Sequence, residues 1–269
     1  RIAFNQKFLK YFSLEVLGEF KSQTTAQIID RQNDFLGVEK RRWILANNED
    51  IPIITSKQLS TGIHFQKSGT LISVEGYFKQ VQGITSSSQG FQNQFQYIRS
   101  TGDYEVYGLD FLFNKRIRDF NLWLSYSLAK NEYNFPEFTP SVFPNNIDVR
   151  HIVSGGASYH TRKFQFSAGL NWRTGKPYTE PLGVSGEDIL YNAPNTSRLN
   201  EYLRVDISAK YKIRISERVH AELGASVWNI LNKENILNIF YQLDPDSDIN
   251  EVQQYALGFT PNIMFRVNF

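Results

Sequence analysis

The C-terminal stretch Tyr255-Ala-Leu-Gly-Phe-Thr-Pro-Asn-Ile-Met-Phe-Arg-Val-Asn-Phe269 puts an apolar or aromatic residue at every second position: Tyr255, Leu257, Phe259, Pro261, Ile263, Phe265 and Val267, closing on Phe269. A period of two is the signature of a strand with one apolar face. The reading predicts a single strand over 255–269. Terminal residues usually fray, because ordering them costs backbone entropy, yet here the stripe runs to the last position.

The same period recurs toward the N-terminus. Val219, Ala221, Leu223, Ala225 and Val227 alternate with polar or small residues, as do Leu203, Val205, Ile207, Ala209, Tyr211 and Ile213. Phe164 to Trp172 and Phe120 to Leu128 repeat it, followed by Leu109–Phe113, Ile72–Phe78, Leu59–Phe65, Phe12–Val16 and the opening Arg1–Phe8. With a strand near 146–159, the count is roughly eleven, most of them longer than the common five or six residues.

Composition narrows the class. The 269 residues contain no Pro/Gly/Ser linker and read as one unit over 1–269. A net charge of +2 without a basic, aromatic-interleaved patch argues against a nucleic-acid partner. The absence of cysteine removes disulfides, thiol catalysis and zinc–thiolate sites. Apolar runs fall short of the roughly 18 residues a spanning helix needs. The first residues, Arg1-Ile-Ala-Phe-Asn-Gln-Lys-Phe8, carry neither an initiator Met nor a signal-peptide pattern, so a mature end or an internal cut is expected.

A soluble sandwich and a membrane barrel share this alternation, and the connections separate them. Those at 6–11, 66–70, 114–120, 160–164 and 212–220 are short, whereas those near 22–57, 80–100, 130–147, 174–201 and 231–253 are long. Short periplasmic turns and long extracellular loops belong to outer-membrane barrels. Aromatics at strand ends, Tyr159, Phe164, Trp172, Tyr178, Phe265 and Phe269, fit interfacial girdles. The fold expected is all-β, an antiparallel transmembrane β-barrel. If the last strand descends to the periplasm, the eleventh counted back also descends, so Arg1 starts outside. Single-chain bacterial barrels have even strand numbers. A half of a barrel of about 22 strands, which needs roughly 540 residues, is therefore expected.

The ordered set Tyr107–Phe135, Phe143–Tyr159, Leu170–Thr179, Tyr202–Ile213 and Glu222–Asn235, then the terminal strand, resembles the C-terminal half of the TonB-dependent outer-membrane receptors. Its specific elements are Asp148-x-Arg150-His151, the segment 173–179 and Val227-Trp-Asn-Ile-Leu-Asn232. The resemblance implies a Gram-negative outer-membrane receptor that imports a scarce nutrient (siderophore, vitamin, saccharide or peptide). The family fills a 22-stranded barrel with an N-terminal plug and couples it to the TonB complex. Neither the plug nor the other barrel half is in this sequence, and both become expected partners, beside the barrel assembly machinery, membrane lipid and lipopolysaccharide. The resemblance also makes Phe265 and Phe269 an assembly signal. A passive pore or adhesin barrel without a plug is the alternative.

Chemistry-bearing residues are sparse. His64, His151, His160 and His220 show no metal-ligand spacing on one element, and no cofactor is expected. Asp244, Asp246 and Asp248 open like a calcium loop, but Ile249 stands where Gly is needed and Tyr255 where Glu is needed, so a solvated acidic loop is expected. Ser154 and His151, three apart on a strand, point to opposite faces, and no catalytic residue is assigned. Inward charges Glu75, Asp110, Arg150, Arg204, Asp206, Lys210 and Lys212 should line a wet lumen or meet the plug. Loop aromatics Tyr133, Phe143, Tyr178, Tyr191 and Tyr241 are the expected ligand-capture surface.

Overall fold

A computed structural model describes residues 1–30, 40–47, 51–91, 100–186, 188–217 and 219–268. Eleven consecutive antiparallel strands form one sheet: β1 (Ile2–Phe8), β2 (Phe12–Gln23), β3 (Ile54–Lys67), β4 (Thr70–Thr85), β5 (Thr101–Ile117), β6 (Phe120–Asn134), β7 (His151–His160), β8 (Phe164–Arg173), β9 (Tyr202–Arg214), β10 (His220–Trp228) and β11 (Thr260–Asn268). Val142–Pro144 adds a short twelfth strand beside β6. Each strand pairs with its neighbour in sequence, which local turns enforce. Among the described residues β1 pairs only with β2 and β11 only with β10, so the sheet is an open arc of a barrel.

Register separates the two faces. One row runs Phe12, Phe65, Ile72, Phe113, Leu124, Gly155, Leu170 and Val205 across eight strands. The next row, one residue along, runs Ser13, His64, Ser73, Leu112, Ser125, Ser154, Asn171 and Arg204. One face is therefore hydrocarbon and the other predominantly polar. Among the described residues nothing packs over this part of the apolar face: Leu59, Ile63 and Phe265 are 57%, 50% and 66% exposed. An apolar patch of this extent marks a membrane or partner surface. Among the described residues no helix is long and apolar enough to cross a membrane.

The five short connections lie at one edge. Leu9, Ser68 and Arg118 adopt left-handed φ values of 54°, 46° and 48°, as tight hairpins with a right-handed twist require. After Ser68, Gly69 has φ 72°, and a Cβ there would sit 2.8 Å from the Arg116 carbonyl oxygen. At the opposite edge the loops carry hairpins of their own: Thr25–Asp30 with Lys40–Leu45, Pro181–Ser185 with Asp188–Tyr191, and Ile236–Leu243 with Ile249–Tyr255. The main buried cluster sits at this rim, where Val81, Ile84, Phe91, Tyr133, Phe135, Phe138 and Phe143 pack together.

The continuous last strand is not observed. Tyr255 closes the hairpin, and β11 begins only at Thr260. The intervening residues bond to a bracket of asparagines. Ala256 N–H donates to the Asn235 carbonyl at 2.9 Å, Phe259 N–H to Asn232 Oδ1 at 2.9 Å, and Asn229 Nδ2 to the Leu257 carbonyl at 3.1 Å. The alternation thus spans two elements joined by a pinned loop.

Candidate functional site

The long-loop rim holds a polar cleft of about 140 Å³. Its walls come from four connections: Gly90, Asn146, residues 176–179 with Asn195, and Asn238–Tyr241. Asn195, left-handed at φ 57°, is the link between two of them. Its Nδ2 donates at 2.8 Å to Asn146 Oδ1 and at 2.8 Å to the Pro144 carbonyl, while its N–H donates to Thr179 Oγ1 at 3.0 Å.

Two tyrosines and a lysine give the cleft its chemistry. Tyr178 O–H donates to Glu180 Oε1 at 2.9 Å, and burial together with that carboxylate pushes the phenol up to about 12. Tyr241 O–H donates to Glu251 Oε2 at 3.4 Å; burial and Glu251 raise its pKa as well. Lys176 Nζ donates to Asn238 Oδ1 at 3.1 Å, and burial, aided by nearby Arg173, lowers its pKa. The wall therefore presents neutral phenols, amides and one cation, suited to hydrogen-bonding a polar ligand. Tyr191 stands opposite Pro181 in the adjoining hairpin.

Tyr133 and Phe143 lie elsewhere than expected. Both are 3% exposed, and their rings meet at 5.5 Å inside the rim cluster. Tyr133 O–H donates to Gln89 Oε1 at 3.1 Å. They brace the loops and present no surface to a ligand, because neighbouring Phe91, Phe135 and Phe138 offer more apolar area than solvent-facing loops can leave exposed.

Asp148 fastens the cleft to the barrel. It is 1% exposed, and Oδ1 accepts the Asn131 N–H at 2.8 Å. Its Oδ2 accepts from Arg150 Nε at 3.1 Å and from an Arg198 Nη2 donor, while Arg198 Nη1 reaches the Asp148 carbonyl at 2.7 Å. Arg150, at the rim just before β7, is engaged by this carboxylate. Neither Asn131 nor Arg198 was singled out from the sequence; their separation along the chain carries no local signal.

The other inward charges follow the register. Glu75 stands directly across from Asp110, which accepts a hydrogen bond from Ser127 Oγ. Arg204 Nε meets Asp206 Oδ1 at 2.8 Å, and the guanidinium lies 5.1 Å from the centre of the Trp228 ring. Lys212 faces Glu222 and Lys210 faces Gly224. The register also joins a group that sequence spacing hides. His64 Nδ1 lies 2.8 Å from Ser73 Oγ and its Nε2 3.6 Å from Glu15 Oε2, across three strands. Strand β4 is paired on both sides, so the ladder occupies the N–H groups that an oxyanion would need.

His151 and Ser154 fall on opposite faces, opposite Leu128 and Ser125 respectively. Among the described residues no group of three or more His, Asp or Glu is placed to hold a metal ion. The Asp244 carboxylate instead caps its own turn, accepting N–H groups of Asp246 and Asp248 at 3.0 and 2.8 Å. Phe265 lies on the apolar face opposite Leu223, whereas Phe269 is outside the described residues.

Known proteins share this architecture. The fold superposes on the ferric citrate transporter FecA with a TM-score of 0.65 at 9% identity, covering 98% of this chain and 37% of that one. The outer membrane transporter YddB from Escherichia coli gives 0.61 at 10%, with 96% and 38% coverage, and the FrpB iron transporter from Neisseria meningitidis gives 0.58 at 10%, with 98% and 37%. The chain thus spans little more than a third of these structures. No curated protein matches the sequence. Residues 20–230 match the TonB dependent receptor-like β-barrel family, and with its open arc of spanning strands the chain belongs to that family of the Gram-negative outer membrane.

Proposed function

We propose that this chain supplies barrel strands and extracellular ligand-capture loops to an outer-membrane receptor that imports a scarce nutrient, energised through TonB. The observation that carries the reading is the cleft at the long-loop rim, where four connections converge around Tyr178, Tyr241 and Lys176 above a polar inner face. Tyr191 flanks it on the adjoining hairpin.

The nutrient class is a siderophore, vitamin, saccharide or peptide. The iron and ferric citrate transporters among the structural neighbours favour chelated iron first. Glu75, Asp110, Arg150, Arg204 and Asp206 would face water or an N-terminal plug, through which TonB would act. Phe265 and Phe269 would present the terminal strand to the barrel assembly machinery.

Tyr178→Ala combined with Tyr241→Ala should lower ligand-dependent uptake at least tenfold while surface abundance stays unchanged. Protease added to intact cells should cut within 181–191 and 244–248 and leave the turn at 215–217 intact. Unaltered uptake by a surface-exposed double variant would contradict the capture role. Cleavage at 215–217 alone would invert the topology.

A further inference from the structure

The apolar face is not uniformly bulky. Ala157 on β7 stands opposite Ala168 on β8, and in the next apolar row toward the short turns Ala209 on β9 stands opposite Ala225 on β10; the two pairs form the floor of a groove of about 520 Å³. Phe166 and Tyr159, opposite each other and about half exposed, form its wall toward the short-turn edge. The groove opens on the side where the barrel meets hydrocarbon, and its size is that of a small-molecule site. Its exposed lining is overwhelmingly apolar, which offers water little to bond.

A second, independent pattern lies just below. Each of the five short turns carries or adjoins an exposed basic residue: Lys10, Lys67, Arg118, Arg162 with Lys163, and Arg214. Only Asp119 and Glu217 oppose them among the described turn residues. The turn under the groove is the most cationic. Arg162 follows Tyr159 by three positions, within about 10 Å of chain. Thr161 fixes that turn by accepting the Phe164 N–H at 2.8 Å, and the Asp119 carbonyl accepts the His160 N–H at 2.9 Å, which brings Arg118 alongside.

We propose that this face holds an anionic glycerophospholipid of the periplasmic leaflet, one acyl chain in the alanine-floored groove and the phosphate at Arg162, Lys163 and Arg118. Small floor residues admit a chain against the backbone, and long basic side chains reach the headgroup from the turn. The inference rests on the membrane placement of the barrel and not on the capture cleft, so either can fail without the other.

The test is native mass spectrometry of the full-length, detergent-solubilised protein titrated with phosphatidylglycerol or with phosphatidylcholine of the same chains. Phosphatidylglycerol should bind at least tenfold more tightly. Arg162→Ser with Lys163→Ser should weaken it about fivefold per residue and leave phosphatidylcholine unchanged. Ala209→Phe should weaken both lipids in a barrel that keeps its heat-modifiable mobility. Should a variant fail to assemble, salt decides on the unaltered protein: the preference should collapse at high ionic strength. Equal binding of the two lipids, a salt-independent preference, or an assembled variant that binds like the parent would overturn the proposal.

Discussion

Asp148 and Arg198 stand 50 positions apart and share a bidentate contact, through the carboxylate and the backbone carbonyl of the aspartate, at the rim of the barrel. The carboxylate is buried and also takes the Asn131 N–H, so it ties the loop after β8 to the end of β6. Without Arg198 the buried carboxylate keeps Arg150 Nε and the Asn131 N–H but loses the contact that holds the 174–201 loop. Arg198→Ala should cost about 1.5–3 kcal/mol of rim stability. Hydrogen exchange should show the loss as earlier opening of 174–201, with β3 and β4 unchanged. Parental protection in that loop would mean the pair is dispensable.

Trp123 turns its indole inward over Gly156, directly opposite it on β7. A Cβ at Gly156 would approach Trp123 Nε1 to 2.6 Å. Gly156→Val should therefore displace the ring and destabilise by about 1–3 kcal/mol, with a shift in tryptophan emission. Gly183→Val, where a Cβ would meet nothing within 4 Å, is the control. Equal effects of the two changes would contradict the packing.

The cleft has a pH limit set by Tyr178. Its phenol is raised from the ordinary 10.0 to about 12, first by burial and then by Glu180, so the folded loop favours the protonated form. The resulting stability is fully present below about pH 10 and is lost as pH rises toward about 12. Tyrosinate absorbance should reveal a delayed titration that Tyr178→Phe diminishes by one phenol, while Tyr241 continues to titrate late. An unchanged titration curve in that variant would place the late phenol elsewhere.

The strands and their turns were legible because each outward stripe has a period of two and each hairpin closes locally; Phe12, Phe65 and Phe113 fall in one row as the pattern predicts. The rim was less legible. Tyr255 continues the period of β11 by coincidence of composition, since hydrogen bonds to Asn229, Asn232 and Asn235 interrupt the strand. Tyr133 and Phe143 look like binding aromatics until Phe91 and Phe138 bury them. The Glu15, His64 and Ser73 group depends on cross-strand register, and no single segment contains it. The cleft likewise needs Lys176 beside Asn238, 62 positions away.

A basic substitution should separate the faces energetically. Leu124→Arg points into the apolar row and should cost about 2–4 kcal/mol near the midplane, while Ser125→Arg on the inner face should be mild. Unfolding from lipid vesicles measures both. Similar costs at the two positions would contradict a membrane-facing row.

The central claim, a spanning sheet with lipid on one face and water on the other, is most directly tested by single-cysteine accessibility along β6, because the chain contains no cysteine of its own. Cysteines at Asn121, Trp123, Ser125 and Ser127 should react with a membrane-impermeant thiol reagent in reconstituted protein. Cysteines at Leu122, Leu124, Tyr126 and Leu128 should be protected and should instead report quenching by lipid-attached probes. A period of two between the sets is the predicted result; uniform labelling along β6 would contradict the barrel.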